Sequence, residues 1–87
     1  MSVEKGMRNH MYLQVTYVDG ENFLTEKTLL MDEVCYSAPY FHIRNVSGQV
    51  INLKCKTQEH AKTLYNLISS AAMSGKQAYR IDLREYQ

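Results

Sequence analysis

The sequence predicts an α+β domain of the order β-β-β-β-α-β, a small antiparallel five-stranded sheet with one helix. Three observations carry this. Several short segments alternate apolar and polar residues with a period of two, and one later segment repeats its apolar residues at steps of three and four. Turn residues separate these segments. The 87 residues form a single domain, 1–87, whose core buries roughly 60 to 65% of the unfolded surface. Alternation alone leaves two forms open, an open curved sheet or a partly closed small barrel, which would remove exposed edges.

Residues 1–10 are polar and read as a disordered N-terminal tail. Met11–Val18 is rich in aromatic and β-branched residues and reads as a strand, with Leu13, Val15 and Tyr17 on one face and Tyr12, Gln14 and Thr16 on the other. Asp19-Gly20-Glu21-Asn22 is a turn. The second arm, Phe23 to Met31, is interrupted by Thr25-Glu26-Lys27-Thr28 and reads as a strand near an edge; Asp32 to Ala38 reads as a loop ahead of Pro39.

Parity decides the next hairpin. A two-residue loop at Ser47-Gly48 would mix apolar and polar residues on each face, whereas Val46-Ser47-Gly48 pairs Asn45 with Gln49, Ile43 with Ile51 and Phe41 with Leu53. Gly48 then takes the left-handed position. The inner face is Phe41, Ile43, Ile51, Leu53 and Cys55, and the outer face Tyr40, His42, Arg44, Asn52, Lys54 and Lys56. Thr57 is the predicted N-cap of a helix starting at Gln58, with Glu59 in its first turn. Ala61, Leu64, Tyr65, Ile68, Ala71 and Ala72 form its apolar stripe; Ser69, Ser70 and Met73 lie on the other side, small enough for a face that packs in an oligomer. Gly75 ends the helix, and Tyr79–Leu83 is a last strand with Tyr79, Ile81 and Leu83 inward.

Ten basic and nine acidic residues nearly cancel, so affinity for a polyanion must come from local clustering. Residues 1–10 contain no apolar leader and no run is long enough to span a membrane, which reads as cytoplasmic, or as secreted if the sequence is a mature fragment. Cys35 and Cys55 read as reduced thiols, Cys55 as a small core residue; the alternative, a disulfide tying the loop before the hairpin to its second strand, needs an oxidising compartment. His10, His42 and His60 have no metal-ligand spacing with them, and no nucleophile elbow or phosphate loop is present. The expectation is a non-enzyme without cofactor or metal. The one suggestive constellation is the outer hairpin face, where Tyr40 and His42 can stack while Arg44, Lys54, Lys56 and Arg80 hold anionic oxygens, as single-stranded nucleic acid requires. The plain reading of the same residues is a solvated strand face.

Pro39-Tyr40-Phe41-His42-Ile43, Leu64-Tyr65-Asn66 and Ser74-Gly75-Lys76-Gln77 running into Tyr79-Arg80-Ile81 resemble the B subunits of bacterial toxins with a pentameric B ring, in the subtilase cytotoxin, typhoid and pertussis-type branch. The resemblance covers about half of the chain. It implies an OB-like barrel, a homo-oligomer such as a pentamer, and glycan binding. His42 stands where that branch has a cysteine paired to the position of Cys55, the family's strands beyond the last one here are missing, and Phe23-Leu24-Thr25 lacks the family's sialic-acid serine. Tyr40 through Ala72 also resembles the end of a pleckstrin-homology-like domain, although there the helix closes the fold. A second class of function follows, an adaptor or inhibitor that contacts single-stranded nucleic acid or a protein through the basic hairpin face.

Overall fold

The computed structural model describes residues 5–87, with Lys5 described by its backbone alone. Six strands and one helix follow one another: β1 (Lys5–Arg8), β2 (Tyr12–Val18), β3 (Leu24–Ser37), β4 (Tyr40–Asn45), β5 (Val50–Lys54), α1 (Gln58–Met73) and β6 (Ala78–Asp82), then a 3-10 turn at Arg84–Tyr86. The α+β class with a single helix is as the sequence predicts. The strands form one sheet in the order β5-β4-β3-β2-β6, with β1 also paired to β3, and the sheet is not closed into a barrel.

The hairpin registers follow the parity argument. Phe41 pairs with Leu53 and Ile43 with Ile51, Asn45 donates its N–H to Gln49 at 2.9 Å, and Gly48 has φ +90°. Thr57 caps α1 by accepting from the His60 N–H at 3.2 Å, and Gly75 at φ +83° ends it. Leu64 and Ile68 enter the core with Leu13, Phe41, Ile43 and Leu83, all fully buried, and the half-buried Tyr65 packs on Tyr36 with ring centroids 5.0 Å apart. Ser69 is a correction: it is buried, not on the polar side, its hydroxyl donating to the Asn66 carbonyl at 3.3 Å.

Four further differences have physical causes. The expected tail contains β1, which pairs with β3 from Lys5 to Arg8, and among its described side chains only Met7 faces inward; residues 1–4 lie outside the described residues. β3 runs on through the expected loop. Its register against β4 shifts between Met31 and Glu33, so Met31 and Val34 are both buried while Asp32 and Glu33 both face outward. That bulge breaks the period of two that marks a strand. β3 is also an edge only over its first half; from Glu33 to Tyr36 it lies between β1 and β4. Lastly, β6 pairs with β2 in parallel. The chain must cross from β5 at one edge of the sheet to β6 at the other, about 19 Å for four inter-strand spacings, and the 16-residue helix, about 24 Å long, makes that crossing.

The C-terminus bridges the remaining opening. Lys56 donates its N–H to the Tyr86 carbonyl at 2.8 Å, and the Gln87 side-chain amide bonds both backbone groups of Val18, accepting at 2.9 Å and donating at 2.8 Å. Gln87 thereby imitates a peptide unit beside the end of β2.

Phe41→Ala should cost about 3–5 kcal/mol of unfolding free energy in urea titrations. Gln87→Ala, which leaves the part-buried Val18 groups without these partners, should cost about 1–2 kcal/mol with an unchanged far-ultraviolet spectrum.

Candidate functional site

The outer face of β3, β4 and β5 is built by alternation. Tyr40 stands opposite Lys54, His42 opposite Asn52 and Arg44 opposite Val50, and on the other flank Cys35 stands opposite His42 and Glu33 opposite Arg44. Glu33, Cys35, His42, Arg44 and Val50 line a shallow pocket of about 210 Å³. Tyr40, 48% exposed, lies on the same face one pair beyond His42. Of the sequence-predicted residues, His42 and Arg44 line the pocket, whereas Tyr40 and Lys54 pair with each other further along the same face. Lys56 follows past the end of β5, exposed, with its backbone N–H held by Tyr86. Arg80 is not part of the group: it lies on β6, beyond β3 and β2, and donates to Gln14 Oε1 at 3.1 Å.

The charge of this face differs from the sequence expectation. Arg44 Nη2 lies 3.2 Å from Asp32 and 3.4 Å from Glu33, Arg8 lies 3.6 Å from Glu33, and His10 Nε2 lies 3.3 Å from Asp32. The bulge in β3 supplies both carboxylates, so the one arginine at the centre of the supposed basic face is compensated. The hydrogen bond to His10 is the largest cause that holds the Asp32 carboxyl below the usual carboxylate range; desolvation opposes it, and the Arg44 hydrogen bond and the charges of Arg8 and Arg44 add smaller lowering effects. Sequence reasoning missed Arg8, His10, Asp32, Glu33 and Cys35 because they fall in the segments read as tail and loop. The signal was a polar doublet, Asp32-Glu33, between Met31 and Val34, the pattern of a bulge in a half-buried strand.

The two cysteines face opposite ways. Cys35 opens on the pocket, whereas Cys55 is buried among core side chains, where desolvation raises its thiol pKa. A second groove of about 470 Å³ runs between β5 and the residues Tyr17–Gly20, with Gln87 at its side. Because Cys55 bonds back to Pro39 and Asn45 to Gln49, the backbone groups of Val50, Asn52 and Lys54 point away from β4 along that groove. Among the described residues no three His, Cys, Asp or Glu side chains converge as metal ligands, and no helix is long and apolar enough to cross a membrane.

Compared with known proteins, the chain matches no family model, no curated sequence and no solved structure.

Asp32 has a depressed pKa in the folded state, so the stability it contributes is fully present above the unfolded carboxylate value near 3.9 and is lost as pH falls through its lower folded value. His10→Ala removes the larger cause. Carbon-detected NMR titration should show the Asp32 carboxyl moving up towards its ordinary value in that variant.

Proposed function

We propose that the protein is a non-enzymatic binding module that takes a neutral polar ligand, a glycan, on the outer face of β3, β4 and β5. The observation that carries this reading is the compensation of Arg44 by Asp32 and Glu33. A polyanion needs uncompensated cations. Here a guanidinium and carboxylates stand together with the Asn52 amide, the His42 ring and the Lys54 ammonium, so donors and acceptors alternate over a short distance. Sugar hydroxyls, each both donor and acceptor, suit such a surface, and the exposed Tyr40 ring offers a platform for the apolar face of a pyranose. The resemblance to toxin B subunits points the same way and adds a homo-oligomer, pentameric in that family. The unpaired backbone edge of β5 supports self-association, since a strand edge is a ready template for another chain. Single-stranded nucleic acid is the weaker fit, because Arg80 is remote and Arg44 is neutralised.

Glycan arrays followed by titration calorimetry test this. Tyr40→Ala should weaken glycan binding by about tenfold, the loss of one aromatic contact of about 1.5 kcal/mol. Steeply salt-dependent binding of oligonucleotides with no glycan bound would transfer the face to nucleic acid. Native mass spectrometry over a range of concentrations reads the oligomer, and a monomer throughout removes that part of the proposal.

A further inference from the structure

Among the described residues no strand pairs with the outer edge of β5, and both limits of that open edge are fixed. Val50, Asn52 and Lys54 turn their N–H and C=O groups away from β4, because the bonds to β4 run through Asn45 and Gln49 and through Pro39 and Cys55. At one end Lys56 has already given its N–H to the Tyr86 carbonyl, and at the other the chain bends into the turn at Gly48, φ +90°. Three residues are left, each with a donor and an acceptor aimed into the groove whose far wall is residues 17–20. The end of the groove shows how much chain fits. Tyr86 and Gln87 lie between the ends of β5 and β2, the Tyr86 carbonyl accepting from Lys56 on one side and the Gln87 amide bonding Val18 on the other. A single stretch of chain reaches both, as one strand does between two neighbours.

We propose that the β5 edge is a strand-addition site for an extended segment of a partner protein, as long as β5 itself and antiparallel to it, with a carboxylate opposite Lys54 and apolar residues opposite Leu53 and Ile51. Each of the three open residues then exchanges two backbone hydrogen bonds with the residue opposite, which supplies affinity, while the side chains on the two faces supply the choice of sequence. The charges along the edge select the acid. Lys54 is exposed, and among the described residues no carboxylate pairs with it, in contrast to Arg8, Arg44 and Arg84. Asp19 on the far wall is committed to its own turn, accepting from the Glu21 and Phe23 N–H groups at 2.9 and 3.0 Å. On the other face Ile51 and Leu53 turn to the core at 7% and 4% exposure, so the segment's residues beside them are apolar. A second copy of β5, centred on Asn52, is the poorer occupant, because it sets Val50 opposite Lys54 in place of a carboxylate. The edge is shared with the self-association proposed above, so segment and second copy compete for it. It rests on backbone groups and is independent of glycan binding on the outer face.

The probe is acetyl-Glu-Val-Thr-Val-Val-amide, in which Glu stands opposite Lys54, Thr opposite Asn52 and the last Val opposite Val50. At about 1 mM, with a Kd of about 0.1 mM, it should shift the Val50, Asn52 and Lys54 amide signals in proton–nitrogen correlation spectra of the full chain and slow their solvent exchange about tenfold. The same peptide N-methylated on Thr should bind at least tenfold more weakly, roughly the loss of one opposed pair of hydrogen bonds. Asn52→Pro should do the same from the protein side, since proline at an edge removes only the outward N–H and leaves the bond from Asn45 to Gln49 in place. If that variant unfolds, the methylated peptide decides alone. Replacing the peptide's Glu by Lys should weaken binding about threefold, and Lys54→Glu should reverse the preference. No shift at the three amides, equal binding of the methylated peptide, or a preference that Lys54→Glu leaves unchanged overturns the proposal. Concentration-dependent shifts of the same amides that the peptide does not relieve give the edge to a second copy and overturn it as well.

Discussion

Strand β3 carries one more residue between Met31 and Glu33 than β4 opposite it can match, and the outward placement of that residue shapes the molecule. A regular strand would turn either Met31 or Val34 to solvent. The bulge keeps both in the core and throws Asp32 and Glu33 together onto the other face. The same irregularity divides the strand's duties, since the first half pairs with β2 and the second half is held between β1 and β4. Beyond the bulge the parity is reversed, which is why Tyr36 reaches Tyr65 of the helix while Cys35 opens on the pocket.

The helix and the C-terminus deal with what the strands leave unfinished. A four-strand antiparallel meander has two edges and one bare apolar face. The helix crosses from one edge to the other and covers that face, and the chain then returns parallel to β2. The last residues lie where the sheet would have to close. There the Gln87 amide and the Tyr86 carbonyl satisfy backbone groups at the ends of β2 and β5, so the ends of the opening are tied without a further strand. The long edge of β5 stays available.

Charge compensation at the bulge sets the chemistry of the outer face. Two carboxylates meet Arg44, Arg8 and His10 within 3.2–3.6 Å, and all of these groups retain contact with water. Exposed pairs of this kind add little to stability. Their consequence lies in recognition, because they replace a field of one sign by adjacent donors and acceptors. They also tie β1, which has only one inward apolar side chain among its described ones, to the body of the sheet.

What the sequence by itself determined is the local structure from Tyr40 to Gly75. The β4–β5 hairpin register, the Gly48 turn, the Thr57 cap, the apolar stripe of α1 and its stop at Gly75 each follow from parity, helical spacing or a positive φ, and each is legible within a dozen residues or fewer at a time. That Tyr40, His42, Arg44 and Lys54 share one face of the hairpin was legible for that reason. Tertiary structure alone decided the rest. β1 exists because β3 offers it a partner, β6 runs parallel to β2 because the helix must cross the sheet, and Arg44 is neutral in effect because the bulge in β3 supplies Asp32 and Glu33. The strand partners are remote in the chain and the bulge breaks the period of two, and periodicity carries no information about either.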